Sequence, residues 1–171
     1  MSKPFVAILI GADSDLPVME AAFGVLDKFD IPFEVKVSSA HHSPDSTRDY
    51  VSDADQRGCA AFICASGVAT HLAVAVSAAT LRPVIGVPID VSAGDLNTLL
   101  PTVQTPGGFP VATVATGKVG AQNAAYLAAQ ILACVDTDLH QKLVDERRAN
   151  AEAVVARDVQ LQKDLQSRRS R

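Results

Sequence analysis

Three of the four histidines fall near the ends of apolar runs in the first half of the chain. His41 and His42 are adjacent, inside Ser38-Ser39-Ala40-His41-His42-Ser43-Pro44. Imidazole changes charge near neutral pH and can both donate and accept a proton. One of the pair suits a proton carrier and the other a phosphate contact; a capping or structural role is the plainer reading. A metal site would need further ligands, and neither an HExxH helix nor a carboxylate-rich loop accompanies them. A second candidate segment is Gly11-Ala12-Asp13-Ser14-Asp15, which opens a helix. Backbone N–H groups at a helix N-terminus attract anions. Ser14 adds a hydroxyl donor, and Asp15 is either an acceptor for a sugar diol or only the helix N-cap. The segment is not a P-loop, because no Gly-Lys-Ser/Thr follows, and it lacks the later glycines of the dinucleotide fingerprint. The third segment, Ala65-Ser66-Gly67-Val68-Ala69-Thr70-His71, offers backbone N–H groups and close approach at Gly67. His71 falls inside the helix that follows, where structural and catalytic roles stay open. His140 reads as a surface residue.

Short apolar runs alternating with amphipathic ones must position these segments. Strands are expected at Phe5–Ile10, Phe33–Val37, Ala60–Cys64, Val84–Val87 and Val111–Ala115. The continuous apolar run Phe5–Ile10 fits a strand buried on both faces. Helices are expected from Leu16 to Phe29 behind Asp15 as N-cap, from Ser43-Pro44 to a stop at Gly58, and from about Thr70 to Ala79. Further helices are expected briefly at Asn97–Val103, at Gly120–Cys134 and from Thr137 to about Leu165. Strands separated by helices make a parallel sheet covered on both faces, a three-layer α/β fold of flavodoxin type. In such sheets ligands bind at the carboxyl ends of the strands, where all three candidate segments lie.

The 171 residues fit one domain, with a core over about 4–135 and a helical extension over about 136–171. Apolar residues make up 48%, which excludes disorder for most of the chain. They are mainly small, with 27 Ala and 21 Val against 6 Phe, 2 Tyr and no Trp. That composition suits close helix packing and does not suit aromatic stacking on single-stranded nucleic acid. A net charge of −4 gives no basic footprint for nucleic acid or an anionic membrane. No apolar run approaches the roughly 18 residues of a membrane span, and the N-terminus lacks a signal-peptide core. Cys59, Cys64 and Cys134 lie in apolar stretches without CxxC spacing and read as buried reduced thiols of a cytoplasmic protein. The terminal helix carries only a thin apolar stripe, which suits packing on a neighbouring subunit.

The order and spacing of several motifs resemble the class I PurE family over about residues 4–150. These are the Gly11–Asp15 turn, Ser-Ala-His-His-Ser-Pro, Ala-Thr-His-Leu, Val-Ile-Gly-Val-Pro, Thr-Val-Gln-Thr-Pro-Gly-Gly-Phe-Pro-Val and Gly-Ala-Gln-Asn-Ala-Ala. That family comprises N5-carboxyaminoimidazole ribonucleotide mutases of purine biosynthesis, also described as the catalytic subunit of phosphoribosylaminoimidazole carboxylase. The resemblance implies a flavodoxin-like subunit in a homo-octamer. It implies transfer of a carboxylate from N5 to C4 of a ribonucleotide through released CO2, with no cofactor and no metal. His41 would then be the general acid and base. Substrate contacts would come from Gly11, Ala12, Ser14, Asp15, Ser39, Ala40, His42, Ser66, Gly67, Val68, His71 and Leu72. The sequence departs from the family pattern where a serine becomes Ala12, an arginine becomes His42 and a glycine becomes Val68. Asn97 also departs, in the fourth loop. A diverged relative acting on another small ribonucleotide, or an oligomer without activity, is the alternative that these positions raise.

Overall fold

A computed structural model describes residues 3–67, 71–89 and 103–169. The chain divides into two compact units, Met1–Leu132 and Ala133–Arg171. The first holds a five-stranded parallel sheet in the order β2-β1-β3-β4-β5. Its strands are β1 (Phe5–Ile10), β2 (Phe33–Val37), β3 (Cys59–Ser66), β4 (Val84–Pro88) and β5 (Ala112–Thr113). The helices of this unit are α1 (Leu16–Lys28), α2 (Pro44–Arg57), α3 (His71–Ser77) and α4 (Gly117–Ala133). The expected flavodoxin-like fold is the one observed.

Every residue of β1 is buried, as its unbroken apolar run requires. Phe5, Ala7 and Leu9 join Val51 and Ala54 of α2 and Leu72, Ala73 and Val76 of α3 in one apolar cluster. The alternate residues Val6, Ile8 and Ile10 are equally buried and serve the opposite face. α1 and α4 meet through Phe29 and Tyr126, whose rings lie 5.9 Å apart in an edge-on contact. The alanines of α4, among them Ala121, Ala124, Ala125 and Ala128, are wholly buried, so the small-residue composition serves close helix packing. Gly58 closes α2 at φ +94°, a left-handed conformation that glycine adopts without strain.

Some expectations shift. β3 runs two residues past Cys64 to Ser66, so it carries the third candidate segment onto the sheet. β5 shrinks to Ala112–Thr113, the two residues that pair with Ile85 and Gly86 of β4. Asp15 and Ser43 stand at the N-caps of α1 and α2, but neither side chain caps its helix. Cys59 and Cys64 are buried, and burial pushes the Cys59 thiol up to about 11. Cys134 is exposed, contrary to expectation, because α4 ends at Ala133 and Cys134 falls in the turn that follows it. The expected short helix at Asn97–Val103 lies, but for Val103, outside the described residues.

The second unit contains α5 (Thr137–Arg169). Asp136 opens it by accepting the N–H groups of Asp138 and Leu139 at 3.1 and 2.9 Å. From residue 151 onward every described residue of this helix is exposed. Among the described residues no helix is long and apolar enough to cross a membrane.

Candidate active site

The strand order reverses direction at β1, whose neighbours β2 and β3 are the next two strands in the chain. The connections leaving β1 and β3 therefore part company and open a crevice at their carboxyl ends. Gly11 forms its floor. Its N–H bonds to Ala65 O at 2.9 Å, and a Cβ there would come within 3.2 Å of the Ser66 Cβ. A tight turn over Asp13–Asp15 follows. Asp15 bonds back through its N–H to Ala12 O at 3.1 Å, while its Oδ2 accepts the Ala12 N–H at 3.2 Å. The carboxylate is buried at 7% exposure, turned toward the crevice rather than capping α1.

The second segment is braced by hydroxyl groups. Ser38 donates its N–H to Ile10 O at 2.9 Å, which prolongs the β1–β2 pairing. Its buried Oγ lies 2.6 Å from Oγ1 of Thr47, one turn into α2. Thr47 Oγ1 also approaches Ser43 O at 3.0 Å and Ser39 O at 3.3 Å. Ser39 Oγ accepts the N–H groups of His41 and His42 at 3.4 and 3.0 Å. The backbone of the histidine pair is thereby fixed while both rings remain exposed.

His41 and His71 meet: Nε2 of the first lies 3.1 Å from Nδ1 of the second, with rings 5.2 Å apart at 64°. That bond holds a single proton between two nitrogens, so it accommodates two neutral rings or one cation, not two cations. When one of the two rings is protonated, the shared proton can pass either way with no change in total charge.

Two cavities flank His41. One, of about 350 Å³, brings together Gly11, Ala12, Ser14, Asp15, Ser39, Ala40, His41, Ser66, Gly67 and Leu72 from the expected set, and adds Ser38. Its described wall holds one carboxylate and no lysine or arginine, so an anion there would rest on N–H, hydroxyl and imidazole donors. The other, of about 520 Å³, is lined by Ala40, His41, His71, Val74, Ala75, Ala78 and Gln104. His42 lines neither cavity and points to solvent. Val68 lies outside the described residues. Ser38, Thr47, Val74, Ala75 and Gln104 were not foreseen. The helical spacing of His71, Val74, Ala75 and Ala78 carries the signal for that wall, because it puts them on one face. Among the described residues no three metal-binding side chains gather.

Fold and crevice define a flavodoxin-like α/β domain with a candidate active site at the switch point of its sheet. The family model described as AIR carboxylase matches residues 5–153, and the chain belongs to that family. It is 46% identical over 154 residues to the N5-carboxyaminoimidazole ribonucleotide mutase of Bacillus subtilis, covering 90% of this chain and 94% of that one. It is 43% identical over 162 residues to the enzyme of the same name from Mycobacterium tuberculosis, covering 94% and 92%. For the Escherichia coli enzyme of that name the values are 42% over 151 residues, 88% and 89%. The crystal structure of Treponema denticola PurE superposes with a TM-score of 0.86 at 22% identity, over 93% of this chain and 99% of that one, which is a likeness of fold.

Proposed function

We propose that this chain is an N5-carboxyaminoimidazole ribonucleotide mutase of purine biosynthesis, a cytoplasmic enzyme that works as a homo-octamer. The reaction moves a carboxylate from N5 to C4. His41 donates a proton to N5 as the N–C bond to the carboxylate breaks and CO2 leaves. C4 then attacks the CO2, and His41 takes the C4 proton as the new C–C bond forms. Protons balance over the cycle, so neither metal nor cofactor is consumed.

The observation that carries this reading is the position of His41 on the walls of both cavities. The hydroxyl- and carboxylate-lined one suits a ribose phosphate. Asp15 accepts from the ribose hydroxyls. Ser14, Ser39, Ser66 and the backbone at Ala12, Ala40 and Gly67 meet the phosphate and ring, with Leu72 beneath them. The other cavity, with Ala40, Val74, Ala75 and Ala78 beside His41, offers a small-walled space for CO2. His71 shares a hydrogen bond with His41, and His42 would reach the phosphate from outside the cavity. The chain forms one catalytic domain with a helical extension between subunits, and it engages neither nucleic acid nor membrane.

The test is interconversion of the N- and C-carboxylated nucleotides by purified protein. Turnover in both directions supports the proposal, and its absence overturns it. The departures at Ala12, His42, Val68 and Asn97 favour a second reading, a different small ribonucleotide. Tight binding of such a nucleotide without mutase turnover selects that reading.

A further inference from the structure

The cavity of about 520 Å³ has a simple wall. Ala40, Val74, Ala75 and Ala78 are apolar, and only His41, His71 and Gln104 bring polar side chains to it. The two histidines face each other, with Nε2 of His41 3.1 Å from Nδ1 of His71, so one nitrogen of each ring is already engaged. Gln104 stands apart from them. It is exposed, belongs to no helix or strand, and no hydrogen bond engages its amide among the described residues. Its segment is nevertheless anchored. Just beyond it, Phe109 donates its N–H to Pro106 O at 3.3 Å and closes a tight turn. Gly108 sits in that turn at φ +94°, the position that a type II turn reserves for glycine.

The charge of the migrating group limits what can serve on this wall. In the proposed reaction the group meets the wall beside His41 first as a carboxylate, then as neutral CO2, then as a carboxylate again. A lysine or arginine would hold the anion strongly and oppose its conversion to CO2, and the described wall has neither. A primary amide offers two N–H donors and no net charge. Its bonds to an ionised oxygen are stronger than those to a neutral one, so it favours the carboxylated states by a moderate margin. Unlike a third imidazole, it adds no second acid beside His41.

Given the mutase reading, we propose that Gln104 is a specificity-determining residue of this cavity, its amide donating to the carboxylate that migrates. The site then holds the carboxylated nucleotides more tightly than the nucleotide that has lost CO2. Asp15 and the serines of the other cavity recognise the ribose phosphate common to all three, and Gln104 reads the one group that differs.

The experiment is calorimetric titration of the full chain with the C-carboxylated nucleotide and, separately, with the uncarboxylated aminoimidazole ribonucleotide. Interconversion during the titration leaves the carboxylate on the nucleotide and does not blur the comparison. A hydrogen bond to a charged group is worth about tenfold or more in binding. Gln104→Leu is therefore expected to raise Kd for the carboxylated nucleotide about tenfold and to leave that of the uncarboxylated one within about twofold. Gln104→Glu, an acceptor beside an anion, is expected to weaken the carboxylated nucleotide further than leucine does. Unchanged binding of the uncarboxylated nucleotide also excludes misfolding as the cause. Equal weakening of both nucleotides makes Gln104 a structural residue and overturns the proposal, as does no weakening of either. A wild-type chain that binds neither nucleotide overturns the mutase reading itself, and the proposal with it.

Discussion

Helix α2 is held at its two ends by different chemistry. At the N-terminal end the partners are uncharged: Thr47, Ser38, Ser39 and Ser43 lock the loop that carries His41 and His42. At the C-terminal end they are ionic. Arg57 spans Asp53 on its own helix at 2.7 Å and grips both carboxylate oxygens of Glu34 on β2, its Nη2 lying 2.8 Å from Oε2. Tyr50 donates to the same carboxylate at 3.1 Å. The ionic end ties down an edge strand, where water is at hand and a charge costs little to keep. The hydroxyl end adjoins the cavity beside His41, whose described wall already holds the Asp15 carboxylate and no lysine or arginine. Burial favours hydroxyls there, because a neutral group costs far less to desolvate than an ion.

The hydroxyl end is where substitutions bear on chemistry, and His41→Asn is the sharpest break. Asparagine retains a hydrogen-bonding group but cannot carry a proton at neutral pH. General acid–base catalysis contributes about 10²–10⁴-fold, so kcat of the mutase reaction is expected to fall by about that factor. Thermal denaturation should show the fold intact, since the imidazole is exposed. Near-wild-type turnover in this variant would remove His41 from proton transfer.

Thr47→Val tests whether the uncharged brace acts through the loop. Valine preserves shape and leaves the buried Ser38 hydroxyl without its 2.6 Å partner. An orphaned buried polar group costs about 1–3 kcal/mol, which for a chain of this size lowers Tm by about 2–4 °C per kcal/mol. A rise in KM of several-fold is expected alongside, because the His41 loop loosens. A lower Tm with unchanged kinetics would make Thr47 a purely structural brace.

His42→Arg is a smaller perturbation. Arginine offers a planar, forked set of donors that matches phosphate geometry, where the imidazole ring offers single nitrogens. The arginine variant is therefore expected to lower substrate KM severalfold with kcat unchanged. An unchanged KM would take His42 out of phosphate binding, in keeping with its absence from both cavity walls.

The same contrast explains what the amino-acid pattern reveals. The sheet is legible because β1, β3 and β4 are continuous apolar runs whose burial depends on residue type alone. The three candidate segments are legible because strand ends in a parallel sheet all emerge on one side. Asp15 shows the limit. An aspartate before a helix has the composition of an N-cap, and only the tight turn over Asp13–Asp15 reveals that it bonds back to Ala12. Ser38 and Thr47 are nine positions apart, and nothing in composition says that their hydroxyls meet. His41 follows β2 and His71 follows β3, and they meet only because β1 pairs with both strands and brings their ends to one side of the sheet.

The ionic end of α2 should respond to pH in stability rather than in catalysis. The hydrogen bond from Arg57, aided by that from Tyr50, holds the Glu34 carboxyl below the usual range against a modest opposing effect of burial. A carboxylate with a depressed folded-state pKa contributes stability that is fully present above its unfolded value. The contribution is lost as pH falls below about 4.5, the ordinary glutamate value, and through the lower folded value. Glu34→Gln removes this dependence. The urea midpoints of wild type and variant are expected to differ near neutral pH and to converge in acid. The side chain is 42% exposed, so solvent screening keeps the difference at or below about 1 kcal/mol. A difference that persists unchanged into acid would assign the effect of Glu34 to packing. A change in mutase kcat near neutral pH would show that the two ends of α2 are coupled, which the separation of their bonding networks argues against.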